Sequence, residues 1–81
     1  MDWSVYILRC ADGSYYTGHT KDVAKRLAVH NSSKGAKYTR SRQPCEVIFT
    51  EQHATKSAAL KRECQIKSWS RSKKQALIDG K

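Results

Sequence analysis

The chain opens with an apolar stretch whose composition is typical of a β-strand. Residues 3–10, WSVYILRC, are rich in β-branched and aromatic side chains, which favour extended backbone. Because successive side chains of a strand point to opposite faces, Val5 and Ile7 should share one face while Tyr6 and Leu8 share the other. The pattern therefore predicts a first strand that has an apolar or aromatic side chain on each face.

A turn signal and a second apolar stretch follow at once. The segment ADGS contains Asp-Gly, a strong hairpin signal, so residues 14–18, SYYTG, are predicted to pair with the first strand in antiparallel orientation. Gly18 is expected to end this strand, at a point where a side chain would block close approach. Thr20 is then the predicted N-cap of a helix, and Asp22 suits the positive end of that helix.

The remaining chain switches between helical and extended patterns. Val23 and Leu27 supply an apolar stripe for the first helix, and Asp22, Arg26 and His30 repeat at intervals of four along another stripe. A polar loop, a third strand and two further helices are predicted over residues 31–44, 45–52, 54–69 and 71–79. The order β-β-α-β-α-α places the protein in the α+β class.

Length and charge narrow the kind of protein. With 81 residues the chain is long enough for one small domain, residues 1–81, whose core is too small to enclose a large cofactor. Lys and Arg total 16 against 7 acidic residues, which gives a net charge of +9 that is spread along the chain. Such an excess indicates a polyanionic partner, nucleic acid first and an anionic membrane second. A purely solubilising role for the charge is the alternative.

Membrane segments and cysteine motifs are both absent from the sequence. No stretch approaches the about 18 apolar residues of a membrane span, and Asp2 in an N-terminus without basic residues argues against a signal peptide. Cys10, Cys45 and Cys64 are odd in number and form no CxxC, so neither a disulfide framework nor a zinc knuckle is indicated. We expect buried, reduced thiols in a cytoplasmic protein.

Glu63 is the most informative acidic residue. It follows Ala59 by four positions and Leu60 by three, and it precedes Ile66 by three, so it lies on or beside the apolar stripe of its helix. Burial opposes the charge of a carboxylate there unless it has a partner. The partner could be a structural lysine or arginine. It could also be a divalent cation, which often uses only one or two carboxylates when phosphate and water supply the other ligands.

Taken singly, several other polar residues have structural explanations. Arg26 could pair with Asp22, His30 could meet the helix dipole at the surface, and Tyr6 and Tyr16 could be ordinary sheet residues. Their combination changes the interpretation. Phosphodiester cleavage needs a cation over the phosphate, a metal held by a carboxylate and a base near the attacking water. The chain has a candidate of each type on elements adjacent to one hairpin.

Two tripeptides connect these residues to a known family. SVY at residues 4–6 and YTG at residues 16–18 resemble the paired motifs that name the GIY-YIG nuclease superfamily. The likeness continues, in chain order, with KRL, VHN, AKYTR and LKRECQIK, and it looks closest to the small stand-alone bacterial members. Two departures are Ser4 in place of the first glycine of the name and the absence of an asparagine after Glu63, which larger relatives often carry.

The resemblance implies a three-stranded, largely antiparallel sheet flanked by helices. It also implies hydrolysis of a phosphodiester with one divalent metal ion, Mg²⁺ or Mn²⁺. Residue by residue, it implies that Glu63 is the metal ligand, that Arg26 stabilises the pentavalent phosphate, and that Tyr6 and Tyr16 lie near the water and the phosphate. His30 matches a position that is His or Tyr in many members.

Two candidates for the general base remain open. A free histidine has a pKa of about 6.5 and a free tyrosine about 10, which favours His30. A metal and Arg26 beside Tyr6 would lower the pKa of that phenol. Because the resemblance places Tyr6 by the water, we favour Tyr6.

The predicted substrate is DNA, either single-stranded or branched. A single small domain lacks the area for recognition of a long duplex, whereas a basic loop could follow one backbone. The predicted substrate contacts are Gly18, which lets a phosphate approach, and the loop residues Lys37, Tyr38, Arg40 and Arg42. A non-catalytic nucleic-acid-binding module, which would tolerate loss of Glu63, is the alternative. An RNA-binding protein tied to ribosomes is a further alternative.

Overall fold

Among the residues that the structure describes, six regular elements appear in the predicted order. A computed structural model of the protein describes residues 2–32, 39 and 41–80. The elements are β1 (Trp3–Arg9), β2 (Tyr15–Thr20), α1 (Val23–His30), β3 (Glu46–His53), α2 (Lys56–Lys67) and α3 (Arg71–Ile78). The order β-β-α-β-α-α and the α+β class are therefore confirmed.

The three strands form one antiparallel sheet in the order β2-β1-β3. The hairpin between β1 and β2 sets Tyr6 directly opposite Gly18, and the pairing of β1 with β3 sets Tyr6 opposite Thr50. The register between β1 and β3 shifts once, between Ile7 and Leu8. β1 is the central strand, and its side chains from Ser4 to Leu8 are buried.

The two faces of β1 are packed by different helices, as the alternation predicts. Val5 and Ile7 are fully buried in one cluster with residues of α2, and α3 adds partly buried side chains to it. Tyr6 and Leu8 lie in a second cluster, against Val23 and Leu27 of α1 among others. The sheet therefore separates an α1 side from an α2–α3 side.

The end of β2 differs from the prediction. The strand continues two residues past Gly18 to Thr20, because Thr20 is paired with Ser4 of β1 in the ladder. The prediction of Thr20 as N-cap is wrong for the same reason. Asp22 caps α1 instead, and its side chain accepts a hydrogen bond from the backbone N–H of Lys25.

The cysteines are free, and two of the three are buried. The sulfur atoms of Cys10 and Cys45 lie 3.4 Å apart inside the cluster on the α1 side. Cys64 is exposed, so the prediction of a buried thiol is wrong at that position. Across the residues that the structure describes, no helix has the length and apolar character needed to cross a membrane.

Candidate active site

Tyr6 and His30 meet in the interior on the α1 side of the sheet. The Tyr6 hydroxyl lies 2.9 Å from Nε2 of His30, and each residue is only 3% exposed. Tyr6 projects from the central strand and His30 is the last residue of α1, so the packing of α1 on β1 forms the contact. His30 is therefore a buried residue bonded to Tyr6, and the explanation that placed it at the surface is wrong.

Two further side chains fix the orientation of the His30 ring. Nδ1 of His30 lies 2.8 Å from the hydroxyl of Thr39, which is fully buried. The ring of Tyr16 meets the imidazole edge-on, with the ring centroids 4.9 Å apart. Both ring nitrogens of His30 thus have a hydroxyl partner. Sequence reasoning missed Thr39, because residues 31–44 were predicted to be a polar loop, whereas Thr39 is helical and fully buried.

Gly18 makes room for the Tyr6 phenol. A Cβ atom at this position would lie 2.5 Å from the Tyr6 hydroxyl oxygen and 2.7 Å from Cζ, closer than such atoms approach one another. A side chain at Gly18 was expected to block close approach, and the group that approaches closely is the Tyr6 ring. Contact between Gly18 and a phosphate stays a prediction.

Arg26 lies at the surface of α1 and is free to bind an anion. Within the part of the chain that the structure describes, its guanidinium has no hydrogen bond or ion pair; the pairing with Asp22 weighed above is not formed, and Asp22 caps the helix. Arg26 lines an open cleft of about 360 Å³ together with Lys21 and Lys25. An anion in this cleft would therefore meet three cationic side chains and one carboxylate, that of Asp22, so the charge of the lining is net positive.

Burial and nearby charges set the protonation states of Tyr6 and His30. Burial raises the pKa of Tyr6 well above its ordinary value, Tyr16 and Glu63 add to the rise, and the charge of Arg26 opposes it. Burial, aided by the charge of Arg26, lowers the pKa of His30. Near neutral pH the pair therefore consists of a protonated phenol and a neutral imidazole.

Glu63 lies on the other side of the sheet, in the position that its spacing predicts. It is 8% exposed on α2, in the same helix as the fully buried Ala59 and Ile66. Nδ1–H of His19 donates to Oε1 over 2.7 Å, and the ammonium of Lys67 donates to Oε2 over 3.0 Å. Burial alone would raise the pKa of Glu63, but these two donors outweigh it and lower the pKa. The carboxylate is therefore charged.

His19 and Lys67 were not singled out from the sequence, although a signal for each exists. Lys67 follows Glu63 by four positions on a helix, which is the spacing of a favourable ion pair. His19 is opposite Val5 in the hairpin, so strand alternation turns it toward the α2–α3 side. The ring of Trp3 packs beside it, with centroids 5.8 Å apart.

Strand β2 joins the two clusters at the edge of the sheet. Gly18 faces Tyr6 on the α1 side, and its neighbour His19 contacts Glu63 on the α2 side. The negative charge of Glu63 is close enough to contribute to the raised pKa of Tyr6. The described structure thus places a phenol bonded to an imidazole beside Gly18 and a charged carboxylate beside His19, two consecutive residues of β2.

The predicted loop contacts are only partly described. Lys37, Tyr38 and Arg40 lie outside the described residues, and their role as substrate contacts stays a prediction. Arg42 is described, and its guanidinium pairs with Asp12 of the β1–β2 turn over 3.0 Å. The backbone N–H of Ala11 also donates to the carbonyl of Arg42. These contacts tie residue 42 to the hairpin and give Arg42 a structural role.

A family model described as the GIY-YIG catalytic domain matches residues 2–76. The chain belongs to the GIY-YIG family. In this GIY-YIG chain the two motif tripeptides meet in the sheet at one position, where Tyr6, the last residue of SVY, pairs with Gly18, the last residue of YTG. Membership of this family places the chain in the GIY-YIG nuclease superfamily.

The proteins to which the chain is similar are small bacterial chains. The chain is 53% identical over 74 residues to a UPF0213 protein of Bacillus pumilus and to one of Staphylococcus saprophyticus, covering 91% of this chain and 76% and 90% of theirs. The solution NMR structure of a UPF0213 protein from Bacillus halodurans has 47% identity and a TM-score of 0.64, covering 100% of this chain and 86% of that one. A protein from E. faecalis has 39% identity and a TM-score of 0.68, covering 99% and 85%.

Glu63 is the residue of this GIY-YIG chain whose chemistry fits a divalent metal. No group of three or more His, Cys, Asp or Glu side chains that could hold a metal ion occurs among the described residues. Mg²⁺ is commonly bound through one or two carboxylates while it keeps several waters, so a single charged carboxylate suits it. Glu63 is kept charged and held in place by two donors, which fits this requirement.

Proposed function

We propose that the protein is a metal-dependent endonuclease that hydrolyses phosphodiester bonds in DNA. The observation that carries the proposal is the contact of the Tyr6 hydroxyl with His30, 2.9 Å long, in a pair that also feels the charge of the unpaired Arg26. A proton acceptor and an anion-binding group are thus close enough to interact electrostatically, which supports hydrolysis of a phosphodiester.

Arg26 is the group that binds the scissile phosphate in this proposal. Its guanidinium makes no ion pair with any described residue and faces an open cleft, so no existing contact must be broken when an anion arrives. Charge accumulates on the non-bridging oxygens as water adds to phosphorus, and a cation already in place stabilises that charge. The expected contribution of one such donor is roughly 10²–10³ in rate.

Tyr6 and His30 act together as the base, which unites the two candidates left open by the sequence. With Nδ1–H of His30 donating to Thr39, Nε2 accepts from the Tyr6 O–H. The Tyr6 oxygen takes a proton from the attacking water as its own proton moves to Nε2. The water oxygen then bonds to phosphorus, the bond to the leaving oxygen breaks, and the leaving oxygen takes a proton from solvent. The raised pKa of Tyr6 explains why a second acceptor is needed.

Glu63 is the proposed ligand of Mg²⁺ or Mn²⁺. When bound, such an ion supplies Lewis-acid stabilisation of the phosphate oxygens and of the leaving group. The protein contributes a carboxylate that is charged and oriented. His19 and Lys67 keep it so, because each donates a hydrogen bond to one of its two oxygens. Without these donors, burial would favour the protonated acid.

Single-stranded or branched DNA is the proposed substrate. The cleft beside Arg26 carries Lys21 and Lys25, so phosphates that flank the scissile one would be neutralised there. A net charge of +9 on 81 residues supports a polyanionic partner, and so small a domain suits one strand better than a long duplex. A cytoplasmic location is part of the proposal and rests on the three free cysteines.

Labelled single-stranded, flapped and duplex DNA, incubated with the protein with and without Mg²⁺, tests the substrate and the activity together. We expect Mg²⁺-dependent cleavage of the first two. Replacing Lys21 and Lys25 by Ala should flatten the log–log salt dependence of single-strand affinity by about 1.4, since each phosphate contact contributes about 0.7. The matched control replaces Lys73 and Lys74 of α3, and its slope should equal that of the wild type. Binding of all three DNA forms without cleavage would indicate the non-catalytic module.

A further inference from the structure

The two oxygens of Glu63 are held by partners of very different mobility. The side chain of His19 is 24% exposed; it projects from the paired strand β2 and packs against the Trp3 ring. The side chain of Lys67 is 51% exposed, and within the described residues its only hydrogen bond or ion pair is the one to Oε2. One partner is thus fixed by the fold, and the other is a flexible cation at the surface.

We propose that Lys67 occupies the cation position at Oε2 of Glu63 in the metal-free protein, and that a divalent ion binds there by displacing its ammonium while His19 stays on Oε1. The inference rests on the proposed role of Glu63 as metal ligand and adds which oxygen the metal takes and what it must displace. Lys67 is accordingly a residue that tunes metal affinity, and His19 is a positioning residue.

Charge and geometry require the displacement. The ammonium lies 3.0 Å from Oε2, and a Mg²⁺ ion bound to the same oxygen would lie about 2.1 Å from it. Two cations at such distances from one oxygen repel each other strongly. The lysine side chain can move into water by rotation about its flexible stem. His19 has no such path, because its strand is paired and its ring is packed.

Competition of this kind lowers metal affinity, so removing the competitor should raise it. Exposed ion pairs are typically worth 0.2–1 kcal/mol, which corresponds to a gain of up to about fivefold in affinity. A simpler account makes Lys67 only a helix-stabilising partner of Glu63, four residues away. That account predicts a lower melting temperature for a Lys67 variant and no gain in metal affinity, so the two accounts differ in a measurable quantity.

The test is a titration of the full chain with Mn²⁺ in the absence of DNA, with free Mn²⁺ followed by electron paramagnetic resonance. Lys67→Met keeps the length and helix propensity of the side chain and removes its charge. Lys61→Met is the matched control, because Lys61 is an exposed lysine of the same helix that has no hydrogen bond or ion pair within the described residues. Comparing the two variants cancels the loss of one positive charge from the protein as a whole.

We expect Lys67→Met to bind Mn²⁺ about three- to fivefold more tightly than Lys61→Met. His19→Phe, which keeps a ring beside Trp3 and removes the donor, should bind more weakly than the wild type. An affinity of Lys67→Met equal to or below that of Lys61→Met, including no binding by either, overturns the proposal. Glu63→Gln separates this failure from a wider one: if it binds Mn²⁺ as the wild type does, the metal-ligand role of Glu63 itself is wrong.

Discussion

The hydroxyl of Tyr6 lies 2.9 Å from Nε2 of His30, and this buried contact joins a residue of the central strand to the last residue of the first helix. Burial holds the phenol protonated and the imidazole neutral, so neither group alone is a strong base near neutral pH. Their contact lets the imidazole take the proton that the phenol gives up. The two residues therefore form one catalytic unit in our account.

The first prediction is that substitutions of Tyr6 and His30 have non-additive effects on the cleavage rate. Tyr6→Phe and His30→Gln should each slow single-turnover cleavage by roughly 10²–10⁴, because each removes the same proton-transfer route. The double variant should be little slower than the worse single one, since residues that act as a unit show non-additive losses. Losses that multiply in the double variant would show that the residues act separately.

The second prediction concerns stability against pH. The pKa of His30 lies below its ordinary value of 6.5 in the folded protein, so below that pH the unfolded chain binds a proton that the folded protein does not. The folded state therefore loses stability as the pH falls from about 6.5 toward the folded pKa. The urea midpoint should drop more between about pH 7.5 and pH 5.5 in the wild type than in His30→Gln. Equal drops would contradict a buried neutral imidazole.

The third prediction separates chemistry from binding at Arg26. Arg26→Ala should slow the chemical step by roughly 10²–10³ and change DNA affinity far less. Its melting temperature should stay near that of the wild type, because no described residue pairs with the guanidinium. Lys25→Ala in the same cleft is the control, and its effect should fall on affinity. A loss of affinity alone would make Arg26 an ordinary phosphate contact.

The fourth prediction tests the fit of Gly18 against Tyr6. An added Cβ would lie 2.5 Å from the phenol oxygen, so Gly18→Ala should destabilise the protein by about 1–3 kcal/mol, the usual scale of overpacking. Tyr6→Phe removes that oxygen but leaves Cζ at 2.7 Å, so Gly18→Ala should be less destabilising in that background. Urea unfolding of the four proteins measures the coupling. Equal costs in both backgrounds would mean that the hydroxyl is not what Gly18 accommodates.

Local patterns predicted the elements well, and long-range pairing explains the errors. The two faces of β1 and the placement of Glu63 follow from strand and helix periodicity, and both are found. Gly18 was expected to end its strand, at a point where a side chain would block close approach, but pairing with β1 extends β2 to Thr20. Tertiary pairing thus overrode a local preference.

The sequence proposes the candidate site as a set of residues and not as a set of contacts. The family resemblance named Tyr6, Arg26, His30 and Glu63. The local sequence pattern does not show that Tyr6 and His30 are hydrogen-bonded to each other. That contact depends on how α1 packs on β1. The role of Thr39 depends on its long-range contact with His30, and that of His19 depends on the register of the hairpin.

The most direct test of the account is cleavage of labelled single-stranded and flapped DNA by the wild type and by Glu63→Gln, each with Mg²⁺ and with EDTA. Glu63→Gln keeps the size of the side chain and removes the charge that the metal requires. We expect the wild type to cleave only with Mg²⁺, and Glu63→Gln to bind the same DNA with similar affinity and not to cleave it. Cleavage by Glu63→Gln at the wild-type rate, or cleavage by the wild type in EDTA, would contradict a metal-dependent nuclease centred on Glu63.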